Sequence, residues 1–166
     1  MITTLSESVR QQIDQWLCKF PPDRKQSGVL YALRILQEEN GGFLTTELID
    51  QVADYLEMPR SAAYEVATFY SMYHLQPEGR HIISVCTNIS CMLRGSNEIV
   101  EHLEKRLGIK IGETTSDGRY TLREVECLAA CAGAPAVQLD ERDYYEDLDP
   151  QKIDALLAKL NQEEAS

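Results

Sequence analysis

The sequence predicts an α+β chain in two parts: an N-terminal helical bundle over residues 1–77, then an α/β domain with a small mixed sheet over 78–166. Three observations predict it. Apolar residues recur with a helical period upstream of Pro77-Glu78-Gly79. Beyond that break, short apolar runs alternate with one helical stretch and turn signals. Four of the five cysteines fall into two tight pairs, Cys86/Cys91 and Cys127/Cys131, and each pair directly follows a predicted strand.

The helices of the first part follow from spacing and punctuation. Residues 6–20 carry Val9, Ile13, Trp16 and Leu17, then meet Pro21-Pro22, which cannot continue a helix. Residues 27–40 carry Leu30 and Leu33 beside a denser apolar flank, and Gly41-Gly42 ends them. Residues 46–56 hold a one-face stripe of Leu48, Ile49, Val52, Ala53 and Leu56. Pro59 suits the first turn of a fourth helix, with Ala62, Ala63, Val66, Ala67, Phe69 and Tyr70 behind it. Short linkers between amphipathic helices make a bundle.

In the second part, residues 81–85 read as a strand. Residues 96–107 read as a helix capped by Ser96, with Ile99, Val100, Leu103 and Leu107 on one side and Gly108 as its stop. Asp117-Gly118 is a turn, and 120–126 a second strand. Residues 136–139 and 144–146 form a hairpin around Glu141-Arg142-Asp143. Asp149-Pro150 opens a last helix with Ile153, Leu156, Leu157 and Leu160. The order β-α-β-β-β-α belongs to a small thioredoxin-like sandwich.

Charge narrows the function. A net charge of −11 argues against a nucleic-acid surface and against an anionic membrane surface. No apolar run approaches the roughly 18 residues of a membrane-spanning helix. Residues 1–12 lack the pattern of a secretory signal, so an intracellular, reducing setting is expected. There, paired cysteines are metal ligands or redox groups more often than disulfides. No G-x-G-x-x-G, no Walker loop and no Ser/His/Asp or Cys/His arrangement stands in the sequence, so no catalytic residue is assigned.

The topology explains why the pairs should meet. A helical crossover between the two strands implies that they run parallel. Cys86 and Cys127 then lie on the same sheet edge, where ligands of open α/β sheets collect. Four thiolates suit either zinc or a [2Fe–2S] cluster, and the spacing admits both. The small apolar flank Leu128-Ala129-Ala130-Cys131-Ala132-Gly133-Ala134-Pro135 favours the cluster, because it lets backbone N–H groups approach sulfur.

The flanks carry a resemblance. S-V-C-T-N-I-S-C-M-L-R-G and E-V-E-C-L-A-A-C-A-G-A-P-A-V-Q resemble the thioredoxin-like [2Fe–2S] family of respiratory complex I, the E subunits of bacterial NADH–quinone oxidoreductase. V-A-T-F-Y-S-M-Y is similar to the family's segment before the cluster domain. The resemblance implies that Cys86, Cys91, Cys127 and Cys131 ligate one [2Fe–2S] cluster that carries electrons. It implies docking beside a partner that binds FMN and NADH, with the large iron–sulfur subunit of the same complex, in a peripheral arm on the cytoplasmic face of the membrane. Close relatives serve NAD-linked hydrogenases and formate dehydrogenases. Ala129 stands where the family's commonest residue is glycine, a change read as touching no ligand. Rival readings are a structural zinc module for assembly and a dithiol oxidoreductase; the latter lacks the C-x-x-C spacing.

Other residues have plainer readings. Cys18, beside Trp16 and Leu17, is expected to be a buried free cysteine. His74, His81 and His102 are expected at surface or packing positions. Arg94 is expected in solvent, with a role in offsetting cluster charge as its alternative. Gly133 and Pro135 are expected to shape the ligand loop, with ordinary turn chemistry as the alternative. Tyr64, Tyr70 and Tyr73 are expected to be core or interface aromatics.

Overall fold

The computed structural model describes residues 4–163 and divides into two compact units, Met1–Pro77 and Glu78–Ser166. In the first, Ser6 caps α1 (Glu7–Leu17) by accepting the Val9 N–H at 3.2 Å. The same hydroxyl donates to Glu39 at 2.8 Å, tying the start of α1 to the end of α2 (Val29–Glu39). A 3₁₀ turn over Lys25–Gly28, which the periodicity did not distinguish from helix, leads into α2. Thr45 caps α3 (Thr46–Tyr55) through the Leu48 N–H. Pro59 is the N-cap of α4 (Arg60–Phe69), one position before the expected first turn.

The apolar stripes meet as their spacing requires. Val9, Ile13, Leu33, Leu36, Leu48, Ile49, Val52, Ala63 and Ala67 share one buried core. Buried Gln37 holds the chain after α4: its amide donates to the Met72 carbonyl at 2.9 Å and its oxygen accepts the His74 N–H at 2.7 Å. Tyr73 is buried and donates its hydroxyl to the Leu30 carbonyl at 2.7 Å. Phe69 is 81% exposed, and Tyr64 and Tyr70 are exposed as well. Cys18 corrects an expectation. The helix stops at Leu17, so Cys18 leaves the apolar stripe; it is exposed and its thiol reaches the Asp14 carbonyl at 3.3 Å.

The second unit holds a four-stranded mixed sheet in the order β2-β1-β3-β4. β1 (His81–Cys86) runs parallel to β2 (Tyr120–Val125), with Cys86 opposite Val125. β1 pairs antiparallel with β3 (Val137–Leu139), which forms the hairpin with β4 (Asp143–Tyr145). Between β1 and α6 (Ser96–Leu107) lies a short helix, α5 (Ile89–Leu93). The chain closes with α7 (Pro150–Glu163). Ile83, Val85, Ile99, Leu103, Leu122, Val137, Ile153 and Leu157 join strands to helices in one core. Ser96 does not cap α6; Gly95, left-handed at φ 97°, holds the cap position, and Ser96 is buried as the first helical residue. Among the described residues, no helix is long and apolar enough to cross a membrane.

Gly79 enters the second unit in close contact with β2. Its N–H donates to Thr121 Oγ1 at 2.6 Å, and a Cβ there would stand 2.7 Å from the Tyr120 carbonyl carbon. That neighbour is backbone and cannot swing away. Gly79→Ala is therefore expected to destabilise the fold by about 2–3 kcal/mol, an overpacking cost. A lowered urea midpoint with unchanged slope checks it.

Candidate metal centre

Each cysteine is placed by a different local device. Cys86 ends β1, and its N–H bonds the Ala136 carbonyl at 3.1 Å. The Thr87 N–H continues the ladder to the Val125 carbonyl at 3.2 Å, which fixes the direction of the chain leaving the strand. Asn88 then caps α5, its oxygen accepting the Ile89 N–H at 2.8 Å. One turn of helix carries Cys91 back into the protein, where it is buried with Cys86. β2 ends at Val125, two residues before Cys127, and Cys131 begins a 3₁₀ turn over Cys131–Gly133. Cys127 and Cys131 are exposed.

The surroundings are small and apolar. Cys86, Cys91, Ala134 and Ala136 form a buried cluster flanked by Val125, Leu128 and Ala130. Gly133 is needed for this packing, because a Cβ would lie 2.7 Å from that of Glu146. The Gly133 carbonyl also accepts the Asp147 N–H at 2.6 Å, which seats the ligand loop on the segment after β4.

The thiols act on one another. Burial raises Cys86, but N–H groups of Asn88 and Leu128 and the thiols of Cys91 and Cys127 outweigh it and hold Cys86 below the ordinary thiol range. Cys91 moves the other way, through burial first, then the neighbouring Cys86, with Cys131 adding to the effect. Cys86 thus senses both its own pair-mate and Cys127, and Cys91 senses Cys131. The two pairs therefore lie within electrostatic reach of each other. These free thiols stand in for the thiolates that a metal would bind. Among the described residues, no three His, Cys, Asp or Glu groups converge on a point as ligands of one ion. A binuclear cluster asks for two thiolates per iron, and one buried pair beside one exposed pair suits it.

The remaining candidates lie elsewhere. His81 pairs with Asp140 at 2.9 Å, His102 with Asp154 at 3.0 Å, and His74 is buried. Arg94 is exposed and lies 3.8 Å from Asp147. A cavity of about 840 Å³, lined by Arg106, Gly108, Thr115, Tyr120 and Asn161 among others, opens where β2 begins, at the end of that strand away from the cysteines. Two contributors escaped the sequence reading. Asn88 was legible as a cap signal before a stretch too short to show periodicity. For Ala129, an N–H near sulfur was expected from its loop but its backbone angle was not: it takes φ 58°, and its N–H donates to Cys127 Sγ at 3.3 Å.

The family described as thioredoxin-like [2Fe–2S] ferredoxin matches residues 13–161. The chain belongs to that family. As a thioredoxin-like [2Fe–2S] ferredoxin it carries a [2Fe–2S] cluster. It is 49% identical to the NADH-quinone oxidoreductase E subunit of Rickettsia bellii over 86% of this chain and 84% of the relative. It is 44% identical to the second NADH-quinone oxidoreductase E subunit of Rhizobium meliloti over 90% and 87%. In fold it superposes on an NAD⁺-reducing [NiFe]-hydrogenase chain with a TM-score of 0.69 at 21% identity, covering 87% of this ferredoxin and 24% of the hydrogenase chain.

Proposed function

We propose that this chain is the electron-transferring E subunit of an NADH–quinone oxidoreductase, with Cys86, Cys91, Cys127 and Cys131 as the four ligands of its cluster. When bound, the cluster accepts and returns one electron. The chain's own residues would hold it: Cys86 and Cys91 from a strand end and a capped helical turn, buried among small apolar groups, and Cys127 and Cys131 from the exposed loop after β2. That convergence is the observation that carries the ligand assignment. The partners are a subunit binding FMN and NADH and the large iron–sulfur subunit, in a peripheral arm on the cytoplasmic face. Near-50% identity over most of the chain favours this parent complex over a hydrogenase or formate dehydrogenase.

Protein prepared anaerobically with iron is expected to hold about two iron and two acid-labile sulfide per chain, with visible colour. Stoichiometric zinc in that preparation would overturn the assignment in favour of a structural module. The midpoint potential is expected to be low, on the order of −400 mV, as in plant-type ferredoxins. An added electron enters an anionic site in a chain of net charge −11. A redox titration followed by EPR reads it; a midpoint above about −150 mV would show that local hydrogen bonds override charge.

A further inference from the structure

The loop between Cys127 and Cys131 holds a conformation that its residue does not favour. Ala129 lies in the left-handed region at φ 58°, which is unfavourable for a residue with a Cβ. The other non-glycine residues at positive φ among the described residues are Glu57, Asp140, Glu141 and Asp147, all acidic and all in turns or at element ends. Ala129 has no side-chain polar group to offset the cost. What the conformation achieves is the bond from its N–H to Cys127 Sγ at 3.3 Å. Strain kept beside a ligand points to a role there.

We infer that Ala129 is a positioning residue: its left-handed backbone aims its N–H at the Cys127 sulfur and so biases the bound cluster toward its reduced form. The inference rests on Cys127 being a ligand, as proposed above. One electron enters from the reductant, no bond is made or broken, and no proton moves. The added charge is shared by the sulfurs, so an N–H held on sulfur bonds the reduced form more strongly.

Three variants of the full chain test it. Ala129→Gly keeps the left-handed backbone and the N–H. Ala129→Val keeps the N–H but resists positive φ. Ala129→Pro removes the N–H and sets φ near −65°. With dithionite as reductant and EPR as readout, the Gly variant is expected to match the parent midpoint. The Val and Pro variants are expected to show an about tenfold smaller reduced-to-oxidised ratio at that potential, a midpoint about 59 mV lower for one electron. Val and Pro chains that fold by circular dichroism yet hold no iron, while Gly holds it, support the same positioning role through ligation. A loaded Pro or Val variant at the parent midpoint overturns the inference, as does a Gly variant shifted as far as Pro. So do Val and Pro chains that fail to fold, since Ala129 would then serve the fold alone. Iron content of Cys127→Ala decides the ligand assignment separately, whatever the midpoints show.

Discussion

Replacing any one of Cys86, Cys91, Cys127 or Cys131 with alanine is expected to strip the cluster or leave it too labile to purify. Each iron depends on two thiolates, so one loss opens its coordination to solvent. The polypeptide should survive. The core of the second unit is built from Ile83, Leu122, Val137, Ile153 and their neighbours and includes none of the four sulfurs. Far-ultraviolet circular dichroism should therefore stay near parent values while iron and sulfide fall by more than about tenfold, the lower end of what losing even an outer-shell partner of a metal costs in affinity. Cys18→Ala, at an exposed helix end, should change neither. Full iron content in two or more of the four variants would sink the ligand set.

Removing residues 1–77 is expected to leave a fragment that binds the cluster and docks poorly on the flavin-binding partner proposed above. The second unit has its own sheet, helices and core, so the fragment is expected to fold without the bundle. The bundle in turn exposes aromatic and apolar groups around the end of α4: Phe69 at 81%, with Tyr70, Met72 and Leu75 also exposed. An exposed aromatic cluster of this kind marks an interaction surface, and buried aromatic anchors carry much of an interface's energy. Loss of two such anchors, at about 2 kcal/mol each, corresponds to an affinity lower by roughly a thousandfold. Titration calorimetry of the fragment and the whole chain against the partner reads the difference. Equal affinities would place docking on the cluster domain alone. Phe69→Ala in the whole chain, expected to cost about tenfold or more in affinity, locates the effect.

Much of the architecture was legible because it depends on local rules. The stripe Leu48, Ile49, Val52 and Ala53 is buried as its spacing says, and Thr45 caps the helix that carries it. Gly108 stops α6 in a left-handed conformation, as helix-end chemistry anticipates. The parallel pairing of β1 and β2 followed from a strand, a helix and a strand in that order. Where the local signal was short, the reading thinned. α5 has five residues, fewer than two turns, so no period could show. Ser96 looked like a cap because serine often is one, but Gly95 can adopt the left-handed backbone and takes the position.

Four cysteines in two close pairs, the alternation of strands and helices, and the acidic balance were determined by the sequence itself, since each is a matter of residue type and spacing. Only the tertiary structure decided which atoms face the sulfurs. The approach of Cys86 to Cys127 depends on register between two strands far apart in sequence. The exposure of Cys18 depends on where α1 stops, and the turn of the Ala129 N–H onto Cys127 depends on one backbone angle. Residue type constrains such an angle weakly; the packing of Gly133 against Glu146 and the strand ends on either side hold the loop that sets it.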